Sequence, residues 1–243
     1  MPRIFFISPE AIDADAAILD GPEAHHILHV LRLKKGSRIE LFDGTGYLYS
    51  AVIKDISRDK IFLTLLSSIS SLRPKPELHL ATPLLKGKKL ELVLQKAVEL
   101  GVMGLHPFIS TYCDKQSARG DSSDRWQRII LEACKQCGQP LLPQLSPMTS
   151  FSELLQNAPR YEHILLCYEK ENSRKISDIP LTPSHGKRIL LITGPEGGFS
   201  DSEISYAQRH NCAMVSLGPL TLRAETAAIA VLAIVQHRLG FLG

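Results

Sequence analysis

The chain has 243 residues, with 28 Lys and Arg against 25 Asp and Glu and a formal charge of +3. That length can bury a sizeable core as one large domain or two modest ones, and so mild a charge permits a nucleic-acid partner without demanding one. Five scattered cysteines, an odd number, argue against a disulfide scaffold and for a reducing, cytoplasmic setting. The early apolar run at residues 4–7 is too short for a secretory signal. The longest apolar run, residues 226–235, falls well short of the ~20 residues that span a bilayer.

Strand-like runs recur at residues 4–7, 38–42, 47–53 and 61–66. Asp43-Gly44-Thr45-Gly46 reads as a hairpin turn between two of them. Residues 1–72 therefore predict a small β-rich, barrel-like domain. One short helix is expected over residues 22–30, started by Gly21-Pro22. It carries His25, His26 and His29, with His25 and His29 on one face. A metal would need further ligands, and none stands nearby in the sequence. With Arg32, Lys34, Lys35 and Arg38, these histidines suit phosphate contacts to RNA; a solvated face is the plainer alternative. Residues 67–76, SSISSLRPKP, read as an interdomain linker with the boundary near 72.

From residue 73 to residue 243 strand-like and helix-like segments alternate. Strands are expected at 77–81, 103–110 and 163–167, and helices at 90–100, 123–137 and 151–156. Leu90, Val93, Leu94, Ala97 and Val98 share one face of the first helix, and Gly101 stops it. Such alternation implies an α/β domain with a mainly parallel sheet. Cys134-x-x-Cys137 falls inside the second helix and lacks a second ligand pair, so it reads as two helical thiols. Lys86-Gly87-Lys88-Lys89 is a second basic cluster, either a solvated loop or part of an RNA surface.

The chain is organised around residues 188–200, RILLITGPEGGFS. Residues 189–192 suit a strand buried on both faces. Gly194-Pro195-Glu196-Gly197-Gly198 follows, and then Ser200 with Glu203 three residues on, which is a capping box. The turn matches neither G-x-G-x-x-G nor the Gly-Lys-Ser/Thr of a phosphate loop. A second unit of the same kind follows: a strand at 214–217, Gly218-Pro219, then an apolar helix over 224–239. Each turn is either a tight β-to-α connection or a place where backbone approaches a ligand. Arg223-Ala224-Glu225-Thr226 breaks an apolar neighbourhood. Its charges either serve the helix end or face a substrate, and Glu196 poses the same choice.

GPEGGFS followed by LGPLTLRAETAAIAVL resembles the signature of the bacterial small-subunit (16S) ribosomal RNA uridine-N3 methyltransferases of the SPOUT superfamily. Residues 25–32 (HHILHVLR), 42–44 (FDG), 96–102 (KAVELGV) and 132–136 (EACKQ) extend the resemblance along the chain. It implies a PUA-like RNA-binding β-barrel domain over 1–72 and a SPOUT-type α/β domain with a deep trefoil knot over 73–243. It also implies a homodimer, S-adenosylmethionine as methyl donor and no metal. The donor-binding residues would be Leu166, Cys167, Thr193, Gly194, Glu196, Gly197, Gly198, Leu217, Gly218, Leu222 and Ala224. The implied reaction is methylation of N3 of one uridine in 16S ribosomal RNA, in the assembled small subunit. Arg223 would bind charge on the base or a phosphate, and Glu225 would orient the base or accept its proton. His25, His29, Arg32, Lys34 and Lys86 would contact RNA. This chain departs from the family's pattern at Leu220 and Gln139, where members usually carry Arg, and at Thr111-Tyr112-Cys113-Asp114, which replaces a Ser-Glu-Arg-like run. Two alternatives stand beside this reading: a ribose 2′-O-methyltransferase of the same superfamily, whose Asn-x-Gly-x-x-x-Arg motif is missing here, and a non-catalytic RNA-binding assembly factor.

Overall fold

The structure is a computed structural model that describes residues 4–71, 76–113, 123–181 and 187–243. The chain divides into two compact units, Met1–Arg73 with Leu131–Leu142, and Pro74–Ile130 with Pro143–Gly243.

The first unit is built on strands β1 (Ile4–Phe6), β2 (Ile12–Asp13), β3 (Ala16–Leu19), β4 (Arg38–Phe42), β5 (Tyr47–Ser57) and β6 (Lys60–Ser70), with helix α1 (Gly21–His25) between β3 and β4. They form one sheet in the order β1-β4-β5-β6-β3-β2. The β1–β4 pair is parallel and the others antiparallel. Period-two alternation turns Ile39, Leu41, Ala51, Ile53, Ile61 and Leu63 into a core closed by Ala24 and Ile27. The hairpin turn is pinned by buried Asp43, whose carboxylate accepts from Thr45 N, Thr45 Oγ1, Tyr47 N and Tyr49 OH. In the same unit Leu142 N donates to Gly44 O (2.9 Å), and Lys135 Nζ donates to Glu23 Oε1 (2.8 Å).

Two expectations need correcting. The helix over 22–30 is a short α-helix that widens into a π-turn at His26–Val30. Residues 67–70 are strand, paired with residues 47–50, because Ser67, Ser68, Ile69 and Ser70 find backbone partners along β5. Residues 72–75 of the expected linker lie outside the described residues.

The second unit alternates β7 (Glu77–Pro83), α2 (Lys89–Glu99), β8 (Gly104–Ile109), α3 (Ser123–Cys137, its last turns counted with the first unit), β9 (Gln144–Leu145), β10 (Thr149–Ser150), α4 (Phe151–Gln156), β11 (His163–Cys167), β12 (Arg188–Ile192), α5 (Asp201–Arg209), β13 (Ala213–Val215) and α6 (Ala224–Arg238). Every strand pair is parallel, in the order β10-β8-β7-β12-β11-β13, with β9 also on β8. The continuous apolar runs follow from this, since such strands are covered on both faces. Ile189, Leu190, Leu191 and Ile192 are all buried. Strand β13 is shorter than the expected 214–217, and its end frees residues 216–217 for a loop. Cys134 is buried, and burial pushes its thiol up to about 12, whereas Cys137 is exposed. The two thiols thus sit in unlike surroundings.

A polar cluster lies inside this unit, on elements distant in sequence. Tyr161 OH is 3.1 Å from His79 Nδ1 and 3.0 Å from His106 Nε2. Ser146 Oγ is 2.8 Å from His106 Nδ1, and His79 Nε2 stands 3.6 Å from Glu77 Oε2. One proton arrangement satisfies the chain: Ser146 donates to His106, His106 Nε2–H to Tyr161, Tyr161 to His79 Nδ1, and His79 Nε2–H points to Glu77. Both imidazoles are then neutral. Gly104 makes room for this, because a Cβ there would overlap the His79 ring.

Candidate active site

Strand β12 lies between β7 and β11, and β11 between β12 and β13. The loops that leave the C-terminal ends of β11, β12 and β13 therefore meet, as ligand-binding loops do in open α/β sheets. They enclose a cavity of about 570 Å³, within the roughly 300–1,000 Å³ typical of small-molecule sites. Cys167, Tyr168, Glu169 and Asn172 come from the first loop, 194–198 from the second, and 216–224 from the third.

Glycine is required where the second loop turns. Gly198 has φ +72°, and a Cβ there would stand 2.7 Å from Glu169 Oε1. A Cβ on Gly197 would stand 2.9 Å from Tyr112 Cβ. The wall is thus bare backbone. Ser200 closes the loop as the α5 cap: its Oγ accepts from Glu203 N, and Glu203 Oε2 accepts from Ser200 N. The other Glu203 oxygen accepts from Ser110 Oγ (2.8 Å) and Thr111 N (2.9 Å), which fixes the end of β8 beside this turn. Burial alone would raise the Glu203 carboxyl, but these donors hold it below the usual range.

Of the expected donor-binding residues, Cys167, Gly194, Glu196, Gly197, Gly198, Leu217, Gly218, Leu222 and Ala224 line the cavity. Leu166 and Thr193 do not; both are fully buried beneath it, and Thr193 N is spent on Ala81 O. Arg223 lines the cavity, exposed, at the start of α6, with no side-chain partner among the described residues. Glu225 is not on the wall. Its Oε2 is buried, accepts no hydrogen bond and lies 3.8 Å from Lys89 Nζ. Cys167 is buried, and burial pushes its thiol up to about 12. His25 and His29 are exposed with rings 4.6 Å apart, and Arg32 and Lys34 are exposed in the same unit. Lys86 is exposed in the other unit.

Lys89 was missed as a site residue because its neighbours, Lys86 and Lys88, make it look like one of a solvated run. It lines the cavity, and its ammonium sits 3.0 Å from Glu196 Oε1 and 3.8 Å from Glu225. Burial would raise the Glu196 carboxyl; Lys89, with the Lys86 amide, holds it below the usual range. Glu196 therefore serves as an anion that ties the glycine loop to the start of α2. The described residues contain no cluster of three or more His, Cys, Asp or Glu able to hold a metal.

Comparison with known proteins defines the class. A family described as RNA methyltransferase domain matches residues 73–236, and one described as RNA methyltransferase PUA domain matches residues 19–66. A Ribosomal RNA small subunit methyltransferase E of Rickettsia conorii is 30% identical over 237 residues, covering 96% of this chain and 94% of the relative. A protein of the same description from Neisseria gonorrhoeae, solved bound to S-adenosylmethionine, superposes with a TM-score of 0.87 at 29% identity over 98% of each chain. A Legionella pneumophila protein, also solved with that cofactor, gives 0.86 at 32% identity, again over 98% of each. The chain belongs to the small-subunit ribosomal RNA methyltransferase E family of SPOUT methyltransferases.

Proposed function

We propose that this protein transfers a methyl group from S-adenosylmethionine to the N3 atom of a uridine in 16S ribosomal RNA. The observation that carries this is the cavity itself, where three adjacent strand ends supply a glycine-walled cradle with a free guanidinium at its edge. The cradle fits the donor, since a side chain at Gly198 would run into Glu169 of the cavity lining, so backbone is left to face the ligand there. Backbone of 194–198 and 217–224 would hold the donor, with Glu169 and Lys89 as the charged groups beside it. When bound, S-adenosylmethionine supplies an electrophilic methyl group whose sulfur keeps the electron pair of the broken bond.

The chain's own task is the imide. N3 must give up its proton to solvent water, and the charge then spreads over two carbonyl oxygens. Arg223 binds that charge. Glu225 acts through Lys89, since its free oxygen is buried behind the lysine instead of facing the cavity. His25, His29, Arg32, Lys34 and Lys86 contact the RNA backbone. The substrate is the assembled small subunit, and the enzyme works in the cytoplasm as a homodimer. In support of the dimer, α6 leaves Thr226, Ile229, Ala230, Ala233 and Ile234 incompletely covered in a single copy. No described helix is long and apolar enough to cross a membrane.

The deciding experiment incubates the protein with labelled donor and small subunits lacking the modification, then identifies the nucleoside by mass spectrometry. 3-Methyluridine supports the proposal. A 2′-O-methyl nucleoside overturns the chemistry, and donor-independent RNA binding without incorporation points to an assembly factor. Lys89→Met is expected to weaken donor binding about tenfold by calorimetry, with Lys89→Arg close to wild type. Unchanged affinity in Lys89→Met would show that the Glu196 tie does not hold the loop.

A further inference from the structure

If the cavity is the methyl-transfer site, as proposed, the reacting edge of the base is the one used in pairing, so the base must leave its stack. An unstacked base is held well by an aromatic face, because every base has one to offer in return. Tyr168 lines the cavity but is packed against the core of its own unit. Tyr112 is different. It is 56% exposed, and its ring has no aromatic or hydrogen-bonding partner among the described residues.

Its position is nonetheless fixed. Cys113 N donates to Ser110 O (3.1 Å) and Ser110 N to Cys113 Sγ (3.3 Å), closing a turn whose thiol is buried. Glu203 grips the same turn through Ser110 Oγ and Thr111 N. Tyr112 therefore stands on a hydrogen-bonded turn, outside the cavity lining but with its Cβ beside the backbone of Gly197, a cavity residue. Leu220, also lining the cavity, is 78% exposed. Leu220 is thus free to touch a ligand that enters the cavity. The nearby lysine, Lys89, is already paired with Glu196.

We propose that Tyr112 is the stacking platform for a base displaced from the RNA at the target site, with Leu220 as a second apolar contact. Tyr112→Ala should lower kcat/KM for small subunits about tenfold, mainly through KM, while Tyr112→Phe stays within about twofold. Affinity for S-adenosylmethionine should be unchanged in both. Binding of a labelled oligouridylate, followed by anisotropy, should weaken about tenfold in Tyr112→Ala, and this readout does not depend on turnover. Wild type forming 3-methyluridine in the same assay keeps failure of the platform distinct from failure of the parent reading. The proposal is overturned if Tyr112→Ala matches wild type on both substrates. It is also overturned if Tyr112→Phe is as impaired as Tyr112→Ala. A changed sedimentation coefficient in Tyr112→Ala or Leu220→Ser with RNA binding intact would overturn it too, by showing that a second copy of the chain covers these residues.

Discussion

Arg223→Ala should lower the single-turnover rate of methylation by about 10²–10³-fold while changing donor affinity less than about threefold. Arg223 precedes the first turn of α6 with extended backbone (φ −63°, ψ 152°), so its side chain is not drawn into the helix. It faces the cavity, and its guanidinium is uncommitted among the described residues. A charge that develops only as N3 loses its proton is stabilised mainly in the transition state, so the loss should fall on rate and not on binding. Lysine should restore little, because it offers a point charge in place of a planar fork. The assignment fails if Arg223→Ala methylates within threefold of wild type, or if the whole loss appears in donor affinity.

Lowering the pH from about 6.5 to 4.5 should destabilise the fold with a slope approaching 2.7 kcal/mol per pH unit, as the unfolded chain takes up two more protons than the native one. His79 and His106 are the cause. Burial lowers His79 from 6.5 to about 4 despite the opposing pull of Glu77, and burial, the repulsion a protonated His79 would add and the nearby Arg160 charge lower His106 to about 3. Both folded-state values lie below the unfolded value. The stability from keeping both rings neutral is therefore complete above pH 6.5 and is lost as pH falls toward those values. An added proton on His79 Nδ1 would confront the Tyr161 hydroxyl proton, which explains why the interior resists charging. Paired carboxylates such as Glu77 and Glu203 stabilise the fold fully above about 4.5 and lose that contribution only below it, so the upper window isolates the histidines. The measurement is the urea midpoint against pH; a flat midpoint across that window would remove these rings from the account. His106→Gln should halve the slope.

Much of the second unit was legible because its signals are local. The Ser200–Glu203 box, the limits of the helices at Ser123–Cys137 and Phe151–Gln156, and the strand His163–Cys167 follow from capping residues and apolar period alone. The glycine turn at 194–198 could be read either as a tight connection or as a ligand cradle; it took the neighbouring loops to make it part of a cavity wall. Other features depend on register. His79, Tyr161, His106 and Ser146 meet only because β7 and β8 lie side by side in parallel, and no spacing along the chain reveals that. Strands β2 and β3 are too short to show alternation. Ser67–Ser70 resembled a linker because serine is common in loops, yet a long partner strand gave its backbone somewhere to bond. Lys89 and Glu225 needed the fold to bring them together.

The segment Leu131–Leu142 has a consequence for how this protein can be made and cut. It belongs with residues that precede it by more than half its distance from the start of the chain: Leu142 bonds Gly44, Leu141 packs on the hairpin turn, and Lys135 covers Glu23. On the ribosome, the amino-terminal sheet must therefore wait, with its turn uncovered and Glu23 unpaired, until residue 142 has emerged. A fragment ending at residue 73 would remain permanently at that stage. The first unit is thus completed by chain that lies between the two segments of the second, and neither unit is one continuous stretch of sequence.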